Sequence, residues 1–252
     1  MFTHIERSRP AVLPATSPSL TGFGMALPET LLASSESDRR LGKAAGWLEA
    51  ACGVATRHVA RPGETQERLG AAAGRARNVL VVTAEIASRA LPWHDAPETA
   101  GLFGDGAAAF VVSAAGAGKL GGARFGGFHM ETFAEGYDAC TLAAGGTGID
   151  FHADPEAFSR SAYFRMDGKA LYRITAAALP GFLDRLLETS GLRRKDIDLV
   201  VPHQASPHAL THIIRRGGFA LDRVFDRVRT IGNQVAASIP VALCLARSEG
   251  LI

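Results

Sequence analysis

Short runs of β-branched and apolar residues alternate along this chain with longer segments of helical periodicity. The runs lie at 78–85 (NVLVVTAE), 108–113 (AAFVVS) and 198–203 (DLVVPH). Each run is continuously apolar, as expected of a strand buried on both faces. Strands that alternate with helices are typical of a mostly parallel sheet covered by helices, so the sequence predicts an α/β fold.

One long helix is predicted in the second half of the chain. From Leu171 to Leu186 the apolar residues recur at spacings of three and four. This pattern indicates a helix with one buried stripe, bent at Pro180 and ending at Gly191.

Two more helices are indicated by their boundary residues. Ser206 and Pro207 form a helix start, a capping hydroxyl followed by a proline at the first helical position, and the 217–218 glycine pair ends that helix. The last helix is predicted from about Ala236 to Glu249. It tolerates Pro240 because a proline in the first turn removes no intrahelical hydrogen bond.

Composition excludes several classes of function. A hydrophobic content of 47% in 252 residues is sufficient for a substantial core, and a formal charge of +2 creates no field that attracts nucleic acid or anionic lipid. No stretch reaches the roughly 18 apolar residues of a spanning helix, and the first ten residues are too charged for a secretory signal. The three cysteines show no CxxC spacing, which predicts a cytoplasmic protein without a structural zinc site.

The first 20 residues are predicted to form an irregular lead-in. Prolines at positions 10, 14 and 18 each fix their own backbone and remove a hydrogen-bond donor. Ordered structure is therefore expected to begin near Thr21.

Two polar residues stand out as candidates for chemistry. His203 ends the predicted strand at 198–203, and side chains at the carboxyl ends of strands project into the crevice of an open α/β sheet. Asn233 follows 30 positions later, directly before the last helix. Each residue alone also has a structural explanation. His203 could be a hydrogen-bonded structural histidine, and Asn233 could cap backbone amides.

Three segments together resemble one known family. VPHQAS at 201–206, GNQVAAS at 232–238 and FGDGAAAFVV at 103–112 resemble the ketoacyl-acyl-carrier-protein synthase III branch of the thiolase superfamily. The resemblance implies two similar mixed-sheet halves with helices on and between the sheets. The amino half, which it places at 21–116, is expected to be incomplete, and the carboxyl half, at 117–252, to lack its final strands.

The resemblance also implies roles for the two candidate residues. In the family, the histidine and asparagine that match His203 and Asn233 donate hydrogen bonds to a thioester oxygen. These donors stabilise the enolate that forms when a malonyl group loses carbon dioxide. The glycine-rich turn at 103–112 is assigned no catalytic role. A tightly packed turn requires small residues, so their presence has a purely structural explanation.

The family's third catalytic residue, a cysteine nucleophile, has no match here. It lies in an AAC-type segment that opens a helix before the strand matching 78–85, where this chain has only GAAAGRAR at 70–77. The early segment at 46–65, similar to the family's WxxxRTGIxxR pattern, almost abuts this match near 66–69. We therefore expect a helix, a strand and the nucleophile-bearing helix to be missing.

None of the three cysteines fits the nucleophile's place. Cys52 stands in the early segment, at the family's threonine. Cys140 follows the GDGA turn, whereas the family nucleophile precedes it, and is assigned to a loop near the substrate channel. Cys244 lies among apolar residues of the last helix, where a small buried hydrophobe is expected.

Four further positions match ligand-binding positions of the family. Trp47 matches a tryptophan that stacks on the adenine of coenzyme A, although the family arginine four positions later is Ala51 here. Gly168 matches a glycine near the pantetheine arm, and Ala205 and Ser206 match positions beside it.

The sequence is compatible with three functions from different classes. The resemblance implies a cofactor-free acyltransferase, a homodimer that condenses an acyl-coenzyme A with a malonyl-acyl-carrier protein in fatty acid or polyketide-type biosynthesis. Without a nucleophile, the alternative is a malonyl-thioester decarboxylase or hydrolase. The third is a non-catalytic remnant that binds acyl-carrier protein or coenzyme A.

Overall fold

The computed structural model describes residues 19–61, 79–113, 126–145 and 148–252. The first described strand begins at Ser19, two residues before Thr21. The irregular lead-in up to residue 18 and the predicted junction at 66–69 lie outside the described residues.

Within these ranges the chain forms short strands and helices, joined by several single turns of 3-10 helix. The strands are β1 (Ser19–Ala26), β2 (Leu31–Ala33), β3 (Thr56–His58), β4 (Val79–Glu85), β5 (Gly106–Ser113), β6 (Cys140–Thr141) and β7 (Arg165–Met166). The helices are α1 (Ser34–Arg40), α2 (Trp47–Cys52), α3 (Pro97–Ala100), α4 (Pro155–Ser161), α5 (Gly168–Ser190), α6 (Pro207–Gly217), α7 (Val228–Ile231) and α8 (Ser238–Ser248).

The largest described sheet has three strands in the order β1-β5-β4. Both of its pairings are antiparallel, so the prediction of a mostly parallel sheet is wrong for this part of the chain. Parallel neighbours need a crossover connection, usually a full helix. Residues 86–105, between β4 and β5, hold only a 3-10 turn and the four-residue helix α3, so the chain returns antiparallel.

The two apolar runs of this sheet differ in burial. Residues 107–110 of β5 are buried, and the strand predicted at 108–113 is confirmed within β5. In β4, by contrast, Leu80, Val81 and Val82 are 41–45% exposed. The prediction that β4 is buried on both faces is wrong, because β4 is an edge strand of the described sheet and pairs only with β5.

The third predicted strand, at 198–203, does not form. Val200 makes a single parallel bridge with Val224, in which its amide donates to Arg223 (2.7 Å) and its carbonyl accepts from Phe225 (2.9 Å). Only one residue pair lies in register, so the run is an extended connection. It is nevertheless anchored to the core, because Leu199 and Val201 pack against Phe225.

The predicted helices are confirmed. Helix α5 contains Pro180 and ends at Gly191, whose φ of 67° is the left-handed conformation favoured by glycine. Helix α6 begins after Ser206, whose hydroxyl accepts a hydrogen bond from the Ala209 amide at 3.1 Å. Residues 235–237 form a 3-10 turn that leads into α8.

Helix α8 covers one face of the sheet and forms the main core. Its Val241 and Cys244 pack with Ala108 and Phe110 of β5, all buried. This packing fixes the segment that leads into α8, which carries Asn233. No helix in the described ranges is long and apolar enough to cross a membrane.

Candidate active site

Asn233 is held by its backbone between two stretches of chain. Its amide donates to the Leu102 carbonyl (2.7 Å), and its carbonyl accepts from the Gly104 amide (3.0 Å). These two hydrogen bonds form a parallel bridge between Asn233 and Phe103. The close approach requires glycine, since an added Cβ at Gly104 would lie 2.3 Å from the Ile231 carbonyl oxygen. The FGDGA turn therefore positions Asn233.

The side chain of Asn233 is buried and fixed in orientation. Its Oδ1 accepts from the Val235 amide at 2.9 Å, and its Nδ2 donates to the Ala205 carbonyl at 3.4 Å. The opposite amide orientation would direct an NH₂ group at an N–H group. One Nδ2 hydrogen meets Ala205, and the second is left for a ligand.

The backbone of Val235, next to this side chain, is strained. Its φ of 50° is in the left-handed region, which a β-branched residue rarely adopts. Such a conformation costs about 1–3 kcal/mol and persists only where the surroundings impose it. Here the hydrogen bond from its amide to Asn233 Oδ1 imposes the turn.

The turn that carries His203 is fixed by Gln204, which is fully buried. Its amide donates to Ser238 Oγ (2.8 Å), and its Nε2 donates to the Pro202 and Phe225 carbonyls (3.0 and 3.1 Å). Its Oε1 accepts from the Arg227 amide at 2.8 Å. With these four hydrogen bonds, the His203 backbone is anchored to the start of α8 and to the 225–227 segment.

His203 itself is half-buried. Burial lowers the pKa of its imidazole below the usual 6.5, so the ring is neutral at pH 7. A neutral imidazole carries one N–H donor. Within the described ranges the ring makes no hydrogen bond.

The two candidates meet through Ala205. The Ala205 amide donates to the His203 carbonyl at 2.9 Å, and the Ala205 carbonyl accepts from Asn233 Nδ2. The structure thus brings His203 and Asn233 to the same small region, which also contains the start of α6 at Ser206. A neutral imidazole and a primary amide each supply an N–H donor of the kind that stabilises a developing oxyanion.

The sequence analysis did not identify three residues that position the candidate side chains: Gln204, Gln234 and Asp105. The Nε2 of Gln234 donates to the Asp105 carbonyl at 3.0 Å. The buried carboxylate of Asp105 accepts from the Ala60 amide (2.8 Å) and from the Ser88 amide and hydroxyl (2.9 and 2.7 Å). The sequence feature that could have identified these residues is their position inside the three motifs, next to the catalytic candidates.

None of the three cysteines, all of which lie in described residues, hydrogen-bonds to His203 or Asn233. Cys52 is buried, its Sγ donates to the Gly101 carbonyl at 3.4 Å, and burial raises its pKa. Cys140 is exposed in β6, and partial desolvation raises its pKa as well. Cys244 is part of the apolar core, as predicted. The raised pKa values of Cys52 and Cys140 disfavour the thiolate form of both side chains.

The coenzyme positions predicted by resemblance are spread around this region. Trp47 begins α2, half-buried against Leu48, with Lys43 Nζ 5.0 Å from its ring centroid. The end of α2 lies against Pro207, since a Cβ on Gly53 would come within 2.6 Å of its Cγ.

The other predicted positions divide between the site and its surroundings. Ser206 caps α6, so its hydroxyl has a structural role, and Ala205 bridges the two candidates. Gly168 begins α5, and no described contact joins it to His203 or Asn233. A cavity of about 340 Å³ lies elsewhere, between residues 92–99 and 160–166. No cluster of metal-binding side chains occurs in the described ranges.

Comparison with known proteins connects this region to one family. Residues 187–252 match the family model of the 3-oxoacyl-[acyl-carrier-protein] synthase III C terminal, and residues 69–133 match that of 3-oxoacyl-[acyl-carrier-protein] synthase III. The crystal structure of 3-oxoacyl-(acyl carrier protein) synthase III from Pseudomonas aeruginosa PAO1 is similar with a TM-score of 0.79. It shares 23% identity, over 94% of this chain and 91% of that one, and shows that the fold is thiolase-like α/β.

Two relatives indicate how much of the family sequence is present. The beta-ketoacyl-[acyl-carrier-protein] synthase III of Oleidesulfovibrio alaskensis is 32% identical over 176 residues, 69% of this chain but only 52% of the relative. The chain thus spans about half the length of that relative. The enzyme of the same description from Nitratidesulfovibrio vulgaris (strain DP4) is 27% identical over 308 residues, 94% of this chain and 92% of the relative.

The longer alignment also supports the expected missing segments. Because 94% of the 252 residues occupy an alignment 308 positions long, roughly 70 of those positions are gaps in this chain.

Proposed function

We propose that this chain, which belongs to the 3-oxoacyl-[acyl-carrier-protein] synthase III family of the thiolase superfamily, decarboxylates malonyl thioesters at His203 and Asn233. The observation that carries the proposal is that Ala205 contacts both residues, because its amide donates to the His203 backbone carbonyl and its carbonyl accepts from Asn233 Nδ2. The substrates are a malonyl group on acyl-carrier protein or coenzyme A, in fatty acid or polyketide priming, and the reaction needs no cofactor. We expect the protein to act in the cytoplasm as a homodimer.

The reaction requires stabilisation of one charge. The bond between the malonyl carboxylate and the α-carbon breaks, carbon dioxide leaves, and the electron pair forms an enolate whose charge rests on the thioester oxygen. The His203 N–H and the free Nδ2 hydrogen of Asn233 are the donors for that oxygen. Protonation of the α-carbon by water then gives an acetyl thioester.

The neutral state of His203 is important for this step. Burial keeps the imidazole uncharged at pH 7, and the oxygen of Asn233 is occupied by the Val235 amide, so both side chains present hydrogens to the enolate. Because Gln204 and Gln234 fix their backbones, the donors need little reorganisation during the reaction.

A second candidate function is the full condensation, which is favoured by the names of the relatives. It requires an acyl group carried on a thiol as the electrophile. The burial of Cys52 and Cys244 and the raised pKa values of Cys52 and Cys140 do not support this step.

One pair of assays separates these functions. The purified chain is incubated with ¹³C-labelled malonyl-coenzyme A, and released carbon dioxide and acetyl-coenzyme A are measured by mass spectrometry. We expect carbon dioxide release that is lost in His203→Ala and retained in His208→Ala, a matched control at an exposed histidine of α6. Release equal to that of buffer would refute the proposal.

The second assay is intact-mass measurement after exposure to acetyl-coenzyme A. Decarboxylation alone predicts no stable acyl adduct. An adduct that disappears on changing Cys52, Cys140 or Cys244 to alanine would identify a nucleophile and establish the condensation instead.

A further inference from the structure

Helices α5 and α6 contact each other at two places of different chemistry. Towards the carboxyl ends of the two helices, Gly217 of α6 packs closely on Leu183 of α5, since an added Cβ on Gly217 would lie 3.3 Å from Leu183 Cδ1. Near the start of α5, Tyr172 contacts His212 of α6. The first contact is apolar and does not change with pH, whereas the second contains a titratable ring.

The contact between Tyr172 and His212 has a defined geometry. The Tyr172 hydroxyl oxygen lies 3.1 Å from His212 Nδ1, and the two rings meet edge to face with their centroids 4.8 Å apart. Tyr172 is 49% exposed, whereas His212 is only 8% exposed. The pair therefore lies at the edge of the helix interface, with the tyrosine partly in water and the imidazole inside.

The second ring nitrogen of His212 is buried without a partner. Within the described ranges, Nε2 makes no hydrogen bond. A neutral imidazole has one N–H donor and one acceptor, whereas an imidazolium has two N–H donors. Because Tyr172 reaches only Nδ1, a protonated ring would leave a charged N–H group unsatisfied in a buried position.

The charged residues next to the pair in both helices are basic. Burial lowers the pKa of the His212 imidazole below its usual 6.5, and the positive charge of Arg216, one turn further along α6, lowers this pKa as well. Lys169 and Arg173, on either side of Tyr172 in α5, are also basic. Among the described residues, no carboxylate pairs with the ring. Protonation of the ring is therefore unfavourable while α5 and α6 are packed together.

We propose that Tyr172 and His212 form a pH-sensitive latch between α5 and α6. In the closed latch the imidazole is neutral, and the Tyr172 O–H group donates to Nδ1. In acid, His212 takes up a proton at Nδ1, the charged ring turns towards water, and the start of α6 separates from α5 while the contact between Gly217 and Leu183 holds. The latch concerns packing and does not depend on the proposed chemistry.

Opening of the latch reaches the candidate site through the start of α6. Ser206 caps this helix, and the carbonyl of the preceding Ala205 accepts from Asn233 Nδ2 at 3.4 Å. This hydrogen bond is already long, so a shift of the helix start breaks it. The latch therefore links pH to the orientation of Asn233.

The direction of the pH dependence follows from the two states of His212. The unfolded chain binds a proton at this ring near pH 6.5, and the packed ring binds it only at a lower pH. The stability that the neutral ring contributes is therefore present above pH 6.5 and is lost as pH falls towards the pKa of the packed ring. Over this interval, the equilibrium constant for opening rises by up to about tenfold per pH unit.

Histidine NMR of the full chain measures the latch directly, with the His212 signal identified by its loss in His212→Phe. The pKa of His212 is expected to lie below 6.5 in the unmodified chain. It is expected to rise towards 6.5 in Tyr172→Phe, which keeps the ring contact but loses the O–H group that donates to the neutral imidazole.

Hydrogen exchange separates a latch from a histidine that merely titrates in place. After correction for the intrinsic rate, the amides of residues 209–213 are expected to exchange faster at about pH 5 than at about pH 7.5. This difference is expected to disappear in His212→Phe, which keeps an aromatic ring but cannot titrate. His208→Phe, at an exposed histidine of the same helix, is the matched control and is expected to keep the difference.

Four results would overturn the inference. These are a His212 pKa at or above 6.5, a pKa that falls or stays unchanged in Tyr172→Phe, α6 amides whose exchange does not respond to pH, and a pH response that persists in His212→Phe. If His212→Phe does not fold, the signal that shifts in Tyr172→Phe identifies His212, and the titration and exchange of the unmodified chain decide the question.

Discussion

Replacement of Asn233 by alanine tests the oxyanion proposal most directly. The change removes two functions of one side chain, the Nδ2 donor left for the ligand and the Oδ1 acceptor that holds the Val235 amide. Loss of one oxyanion donor typically lowers the rate of the chemical step 100- to 1000-fold, or about 3–4 kcal/mol. Loss of the backbone cap is expected to cost about 1 kcal/mol of folding stability.

The two effects are measured separately. Release of ¹³CO₂ at saturating malonyl-coenzyme A gives kcat, and urea unfolding followed by circular dichroism gives the free energy of unfolding. Because the donor acts on charge that develops only in the transition state, kcat is expected to fall while KM changes little.

A variant that keeps the cap provides the matched control. Asn233→Asp retains an oxygen for the Val235 amide but places its second oxygen against the Ala205 carbonyl, so it has no donor. It is expected to be as slow as the alanine variant, even though it keeps the acceptor at Val235. If either variant kept more than about a tenth of the wild-type kcat, Asn233 would not be the donor that the mechanism requires.

Three other changes have defined outcomes. The decarboxylation rate is expected to fall as pH drops through a value below 6.5, because the depressed pKa of His203 keeps the ring neutral until then, and a pH–kcat profile locates the midpoint. Gln204→Ala leaves the Arg227 amide and two carbonyls unpaired and is expected to cost about 2–4 kcal/mol in urea unfolding. Gln204→Glu, which places a buried carboxylate against the Pro202 and Phe225 carbonyls, should cost at least as much. The ion pair with Arg185 lowers the pKa of Glu131 from 4.5 to about 2. The stability that this ion pair contributes is therefore present above pH 4.5 and is lost as pH falls towards 2. In Glu131→Gln, the free energy of unfolding should fall less steeply between these pH values.

Features encoded by neighbouring residues could be predicted from the sequence. The Ser206–Pro207 start and the glycines at 191 and 218 specify helix ends through their own backbone preferences, and the helices begin and end there. The same holds for the place of Asn233 directly before the last helix, which the structure confirms.

Features that depend on distant neighbours could not. Apolar runs predict strands, but whether a second strand covers the run depends on which other segments are present. Among the described residues, β4 with the exposed Val81 pairs only with β5, and Val200 forms only one bridge. Likewise, Gln204 and Gln234 act on carbonyls 21 and 129 residues away, a pairing that no local pattern encodes.

The two donors are positioned independently of the nucleophile. Asn233 is held by the 102–105 turn, and the His203 turn is held through Gln204 by Ser238 and the 225–227 segment. All these supports lie outside 66–77, where the sequence places the lost family elements. The supports of both donors are therefore independent of the expected nucleophile-bearing helix, and the proposed decarboxylation is the part of the family reaction that needs only these donors.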